Sequence, residues 1–292
     1  MECRLLNMEI DSNKFILPAP FGHLTLIHAQ EYLCIRAVDK KGAILSCAKI
    51  EHDCVSIGKF FKIGEVYYYL SNTANKFLVM YTITIDSYSV NSITYKLIEV
   101  IFKLLSTCPD SHAINIFGKK NNGIDCLMYI DFPRPIVAKN LQNCPCERLY
   151  FSSCYHKNSI YIFGGLDETT KMNDMWKLTD TQWTEINQYG DLPPPIFGAP
   201  FVSYEDSVYL YVENSLYRYD YMWRKIHTNN YLNSPRVFTS TYIDKKTLFI
   251  IGGLSSLTIT TEFFGVPSKC GISYILPSQN LKYLVAKFIA NI

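Results

Sequence analysis

Apolar and polar positions along the chain fall into short alternating runs, and one run recurs. Ser159–Gly165 reads SIYIFGG and Thr247–Gly253 reads TLFIIGG. Fainter copies are AINIFG at Ala113–Gly118, SVYLYV at Ser207–Val212, EVYYYLS at Glu65–Ser71 and EYLCIR at Glu31–Arg36. Taken at the first-glycine position, the copies fall at 36, 71, 118, 164, 212 and 252, so their intervals run from 35 to 48 residues. That period suits a repeated sheet of four strands. β-Branched and aromatic residues ahead of the glycines suit a strand buried on both faces. The glycine pair permits positive φ and a close approach of neighbouring backbone, here expected where a wedge-shaped sheet narrows toward a common axis. A lone Gly-Gly marks a turn; two in matched context on a fixed period mark a repeat.

The sequence after each glycine position extends the pattern. Gly165 is followed by a polar stretch, then Asn173-Asp174, a strand with Trp176, and Trp183 seven residues later. Val212 is followed by Asn214, Tyr217 in the place of Trp176, and Trp223 in the place of Trp183. This arrangement resembles the kelch-repeat family: a strand ending in Gly-Gly, a variable loop, an aromatic-bearing third strand, and a Trp opening the fourth. Pro20-Phe21-Gly22-His23, Pro195-Ile196-Phe197-Gly198 and Pro235-Arg236 stand where that family begins its next blade. The resemblance is fullest over 148–253, partial over 14–50, and thinnest over 65–135, where the glycine pair is lost and no Trp occurs. It implies an all-β, six-bladed β-propeller of kelch type over residues 1–277. Gly164, Gly165, Trp176, Trp183, Trp223, Gly252 and Gly253 are its expected structural residues. Cys3–Ile10 and Gly271–Leu276 are two candidate strands for closing the ring, which removes an open sheet edge. Ile93–Leu105 reads as strand.

After Pro277 the period changes to helical. Ser278 can cap, and Leu281, Leu284, Val285, Phe288, Ile289 and Ile292 form one apolar stripe. Residues 278–292 are therefore expected to be a short C-terminal amphipathic helix, packed on the propeller's flank or docked into a partner.

Composition narrows the functional classes. The chain is 48% hydrophobic and 18% charged, with 22 Tyr and 17 Phe, which supports a large buried interior. The formal charge is +2, from 28 basic and 26 acidic residues, without a run of like charge longer than two. That disfavours nucleic acid and anionic lipid as partners. No segment approaches 18 uninterrupted apolar residues and the first residues lack the order of a signal peptide. An intracellular setting, cytoplasmic rather than nuclear, is the expectation, with the ten cysteines reduced. Cys34, Cys47, Cys126 and Cys154 lie in strand-like runs and read as small buried apolar residues. Cys144, Cys146, Cys154 and His156 are spaced C-x-C-x7-C-x-H; a zinc site there competes with ordinary thiols, and the spacing favours thiols, so no metal is expected.

Catalytic signatures are poor. The chain lacks G-x-S-x-G, a Walker loop, H-E-x-x-H and G-x-G-x-x-G. Its six histidines are scattered, and His23 stands where the family has a structural His. No cofactor and no small-molecule substrate are expected. The reading is a non-catalytic protein–protein interaction propeller, serving as a subunit or adaptor of a larger assembly. A propeller enzyme acting on a small molecule and a ribonucleoprotein subunit are the alternatives. The resemblance puts ligands on the face carrying the loops after the Gly-Gly strands and between blades. Those loops are Ala37–Gly42, Asn72–Lys76, Lys119–Gly123, Leu166–Asn173, Glu213–Asn214 and Leu254–Ser256, with inter-blade segments Cys108–Ser111, Pro133–Glu147 and Gln188–Pro195. The candidate binding residues on this face are Arg36, Lys119, Lys120, Asp167, Glu168, Lys171 and Arg236.

Overall fold

Alternation at period two sends successive side chains of a strand to opposite faces, so strands apolar at every position must be covered on both sides. The computed structural model describes residues 3–7, 14–28, 32–51, 59–72, 77–87, 89–99, 103–109, 113–119, 124, 126–131, 134–135, 139–168, 170–226, 237, 239–244, 246–251, 254–259, 263–267 and 270–276. All regular structure there is strand, and the sheets are antiparallel. Sheet 1 contains Lys14–Ala19, Gly22–His28, Tyr32–Asp39 and Ile44–Glu51 in that spatial order. Sheet 2 contains Lys59–Ile63, Val66–Asn72, Phe77–Ile85 and Val90–Glu99. Sheet 3 contains Lys103–Pro109, Ala113–Lys119 and Cys126–Asp131, whose far edge pairs with both Arg134–Pro135 and Lys139–Asn140. Sheet 4 contains Ser152–His156, Ser159–Asp167, Thr170–Thr179 and Gln182–Glu185; sheet 5 contains Phe201–Tyr204, Ser207–Val212, Ser215–Tyr219 and Trp223–Ile226.

Sheet 6 joins the two ends of the chain. Ser240–Asp244, Thr247–Ile251 and Cys270–Ile275 are its first three strands, and Cys3–Asn7 is its fourth, with Cys3 opposite Tyr274 and Asn7 opposite Cys270. Both closing candidates are thus used, against each other. A separate hairpin, Leu254–Ile259 with Phe263–Pro267, is inserted between its second and third strands. First strands are neighbours all the way round: sheet 1 beside 2, 2 beside 3, 3 beside 4, 4 beside 5, 5 beside 6, and 6 beside 1.

The cores lie between sheets, and one strand feeds two of them. In the second strand of sheet 5, Val208, Leu210 and Val212 pack with Phe163 and Met175 of sheet 4 and with Phe201 of their own sheet. Tyr209 and Tyr211, the alternate residues, pack with Leu248 and Ile250 of sheet 6. Trp183 and Trp223 are each 1% exposed and lie at the start of the fourth strands of sheets 4 and 5, Trp183 second and Trp223 first. Each meets a phenylalanine of the recurring phrase in the preceding sheet: Trp183 against Phe117 at 5.7 Å, and Trp223 against Phe163 at 5.5 Å, edge to face. Between sheets 1 and 2 tyrosines replace this pair. Tyr67 and Tyr69 are buried, the Tyr67 hydroxyl donates to Pro18 O at 2.5 Å, and Tyr69 meets His28 Nδ1. Burial pushes the Tyr67 hydroxyl up to about 12, with Glu65 adding to it.

The first sheet corrects the sequence phasing. Tyr32–Arg36 of EYLCIR lie on the third strand of sheet 1, not the second, and Pro20-Phe21 is the turn between its first two strands rather than the start of a new unit. Counted at the ends of the true second strands (28, 72, 119, 167, 212 and 251) the intervals are 44, 47, 48, 45 and 39. A both-faces-buried strand reads the same whether it stands second or third, which is why the pattern allowed the slip. Leu166–Asn173 is mostly strand, the second strand of sheet 4 ending at Asp167 and the third starting at Thr170; Leu254–Ser256 is strand; and Cys108 and Pro109 end the first strand of sheet 3. Gly252, Gly253 and the helix expected over 278–292 lie outside the described residues.

The two tryptophans differ in one bond. Trp223 Nε1 donates to Gln188 Oε1 at 2.6 Å, whereas Trp183 Nε1 meets no acceptor among the described residues. Gln142 O and Tyr189 O accept from the two tryptophan backbone N–H groups, so Leu141 stands where the other junction has Gln188. Truncation of either Trp to Ala is expected to cost about 3–5 kcal/mol. Trp223→Phe should cost about 1 kcal/mol more than Trp183→Phe, because only the former breaks a hydrogen bond and strands its acceptor. Urea unfolding of the four variants measures this; equal losses for the two Phe variants would contradict it.

Candidate functional site

The sheet-4-to-sheet-5 connector organises the best-defined surface of the molecule. Gly165 N–H donates to Ile196 O at 2.9 Å and Ile196 N–H to Met172 O at 3.0 Å, so the connector lies against the backbone of the glycine pair. Gly164 has φ 60°, and a Cβ there would stand 2.3 Å from Ile196 O. Gly164 is therefore required by the crossing connector, whereas Gly165, at φ 114°, is crowded by Arg148, Leu149 and Phe151 instead. Nearer its start, the connector is held by Trp223 N–H to Tyr189 O at 2.8 Å, Asp191 N–H to Trp223 O at 3.0 Å, and Lys225 N–H to the Asp191 carboxylate at 3.0 Å.

Arg148 braces this region from below and is 1% exposed. Its guanidinium donates to Gly164 O at 3.2 Å, to Cys146 O at 3.3 Å, to Cys146 Sγ at 3.0 Å and to Asp174 Oδ1 at 2.5 Å. Asp174 Oδ2 accepts from Trp176 Nε1 at 2.7 Å. Burial alone would raise the Asp174 carboxyl; the hydrogen bonds from Arg148 and Trp176 outweigh it and hold it below the usual carboxylate range.

Four large apolar side chains are exposed around the connector's first anchor. Tyr189 (63%) and Leu192 (51%) lie on it, and Tyr221 (70%) and Met222 (40%) form the turn that leads into Trp223. That turn is fixed by Asp220, 8% exposed, which accepts from Arg224 at 2.7 Å and forms an ion pair with Arg218 at 3.1 Å. Tyr221 has φ 112°, a conformation strained for a bulky residue. Sequence reading named the segment Gln188–Pro195 but missed Tyr221 and Met222. A signal existed: aligned on their tryptophans, sheet 4 reads TDTQW and sheet 5 reads YDYMW, so an apolar pair replaces Thr181 and Gln182.

The other sequence candidates are dispersed. Asp167, Glu168 and Lys171 are exposed at the second-to-third turn of sheet 4, with the Lys171 ammonium 5.5 Å from the Phe197 ring centroid. Lys119 forms an ion pair with Glu147. Arg36 is on the third strand of sheet 1 beside two thiols, so the loop after it is a third-to-fourth turn, at the sheet end opposite a second-to-third turn. Lys120, Arg236 and the apolar stripe from Leu281 to Ile292 lie outside the described residues. Cys144, Cys146 and His156 have separate contacts: Cys144 with Leu141 O, Cys146 with Arg148, and His156 with Ser203 Oγ at 2.8 Å. Among the described residues no group of three or more His, Cys, Asp or Glu is placed to share a metal ion. Cys34 and Cys154 are buried as expected, but Cys47 is exposed because it lies on an outermost strand.

A family model described as the KLHDC2/KLHL20/DRC7 Kelch-repeats domain matches residues 104–253, which is 150 of 292 residues and just over half of the chain. The chain belongs to the kelch-repeat family. The antiparallel four-stranded sheets are those of a kelch β-propeller. The chain is 26% identical over 158 residues to the leucine-zipper-like transcriptional regulator 1 homolog of Drosophila melanogaster, covering 47% of this chain and 16% of that protein. It is 26% identical over 139 residues to the human leucine-zipper-like transcriptional regulator 1, covering 40% and 16%. With kelch repeat-containing protein 2 of Saccharomyces cerevisiae it shares 25% identity over 133 residues, covering 38% and 15%. The kelch chain thus aligns with less than a fifth of each relative's length. Among the described residues no helix is long and apolar enough to cross a membrane.

The Arg148–Asp174 pair generates a stability prediction. Asp174→Ala leaves a buried guanidinium without its counter-charge and should cost about 3 kcal/mol at neutral pH. Asp174 has a depressed pKa in the fold, so its stabilisation is complete above its unfolded pKa of about 3.9 and is lost as pH falls through the native value. The gap between wild type and Asp174→Ala should stay constant from pH 7 to about 5 and close on further acidification. Unfolding midpoints across that range check it; a gap that widens in acid would be the wrong sign.

Proposed function

We propose that residues 1–277 form a six-bladed kelch propeller that binds another protein without catalysis, as a subunit or adaptor of a larger assembly, with residues 278–292 as a helical tail. The observation that carries this is the group Tyr189, Leu192, Tyr221 and Met222, exposed together on a backbone junction held by five hydrogen bonds or ion pairs. Large aromatic side chains on a rigid support are the residues that dominate protein interfaces, because little ordering entropy is lost when they are covered. Charged residues of the neighbouring turn, Asp167, Glu168 and Lys171, supply a polar rim along the same connector. Arg36, Lys119, Lys120 and Arg236 are further candidates for contacts outside this centre. The leucine-zipper-like regulators and the yeast kelch protein contain matching repeats within much longer chains, which supports the reading of an interaction module.

Affinity capture from the native cell with the wild-type chain and with Tyr189→Ala/Tyr221→Ala tests the reading. Loss of the wild-type partners with an unchanged melting temperature is the expected result; full retention of those partners would sink this surface. A sharper variant is Tyr221→Gly. Glycine adopts φ 112° without strain, so stability should hold or rise by about 1 kcal/mol while capture weakens. Truncation before Ser278 assigns the tail: partners lost with stability kept means docking, and stability lost with partners kept means packing on the propeller.

A further inference from the structure

The outer half of sheet 1 brings two thiols together. Cys34 lies on its third strand and Cys47 on its fourth. Cys34 is opposite Lys49 and Cys47 is opposite Arg36, so the two cysteines are diagonal neighbours on one face. Their sulfurs are 3.3 Å apart. Cys34 is buried and Cys47 exposed. The Arg36 side chain lies beside both sulfurs, and Lys49 stands on the same face, 4.0 Å over the Tyr32 ring. The thiolate is the form that attacks disulfides, and positive charge beside the pair attracts an anionic disulfide reagent. Burial pushes the Cys34 thiol up, so the exposed partner meets a reagent first.

We propose that Cys34 and Cys47 are a reversible redox pair whose co-reactant is a small-molecule disulfide of the glutathione type. The Cys47 thiolate attacks one sulfur of the glutathione disulfide, forming a mixed disulfide and releasing one glutathione, which takes up the proton that Cys47 lost. Cys34 then gives up its proton and attacks Cys47 Sγ, releasing the second glutathione. Two protein thiols lose two electrons in all, and one disulfide becomes two thiols.

The geometry also sets the bond's character. A disulfide of about 2.05 Å requires the sulfurs to close by about 1.2 Å. The fourth strand can yield because it is outermost and alternate residues from Cys47 to Glu51 are exposed. Diagonal positions in a ladder are farther apart than an unstrained disulfide prefers, which leaves strain and places the bond among the easily reduced, labile kind.

The test uses the full chain, held without oxygen in glutathione buffers of stepped oxidised-to-reduced ratio. Samples are quenched in acid, alkylated and mapped by peptide mass spectrometry, so each of the ten cysteines is followed separately. A linked Cys34–Cys47 peptide should rise with oxidation and vanish in excess reduced glutathione, after a transient glutathione adduct on Cys47. In Cys34→Ser that adduct should persist at near one per chain, and Arg36→Gln should slow its formation several-fold. If Cys34→Ser does not fold, the order of species in the wild-type time course decides alone. A wild-type chain that keeps glutathione on Cys47 with Cys34 free, or keeps both alkylatable while other cysteines oxidise, overturns the proposal.

Discussion

The contact between a second-strand phenylalanine and the fourth-strand tryptophan of the next sheet is what the rest of the molecule depends on. A four-stranded sheet of this composition has two apolar faces and cannot stand alone in water. Phe117 on Trp183 and Phe163 on Trp223 cover one face of each sheet with the edge of its successor. The same strands turn their alternate residues the other way, so each sheet is half of two cores. Stability is thus shared between neighbours and, with first strands adjacent in a circle, leaves no terminal sheet uncovered. Pairing Cys3–Asn7 with Cys270–Ile275 extends that logic to the chain ends.

The connectors convert this packing into a surface. Because the chain leaving sheet 4 must reach the start of sheet 5, it crosses the backbone at Gly164, and only a residue without Cβ leaves room. Arg148 then satisfies the Gly164 carbonyl from inside, and Asp174 neutralises the buried cation. A buried arginine is costly unless paired and hydrogen-bonded, and here both conditions are met in one place. The consequence is a connector whose position is over-determined at both ends, which is what an exposed recognition surface needs.

How far the sequence revealed this depends on which physical signal each residue carries. Trp183, Trp223 and the Gly164-Gly165 pair were legible because they combine a rare residue type with a period. Cys3–Ile10 and Gly271–Leu276 were legible as candidate closing strands, but not which of them is used, because alternation marks a strand without naming its partner. The first sheet was misphased because Leu33, Ile35 and Ala37 of its third strand are as buried as a second strand would be, so alternation alone does not number strands. Arg148 was invisible for the opposite reason: a charged residue before a strand reads as solvated, and only the carboxylate 26 positions later on a neighbouring strand explains its burial. Cys47 was read as buried because strand membership was legible and edge position was not.

Tyr221 shows where fold and function pull in different directions. The corresponding turn in sheet 4 is tighter, pairs Thr179 with Gln182, and places its positive φ of 55° at Asp180, followed by polar Thr181 and Gln182. Nothing in the packing of Trp223 requires an aromatic residue at φ 112°, since its ring is 70% exposed and stabilises no core. A strained, exposed, bulky residue raises the free energy of the folded chain on both counts. Its turn is nevertheless braced by a nearly buried Asp220 between two arginines, which holds the strained conformation in place. Bracing that fixes an exposed tyrosine makes physical sense if the ring is covered when a partner binds. The strain would then be part of how the proposed surface is kept ready, with an apolar pair standing where the sheet 4 turn is polar.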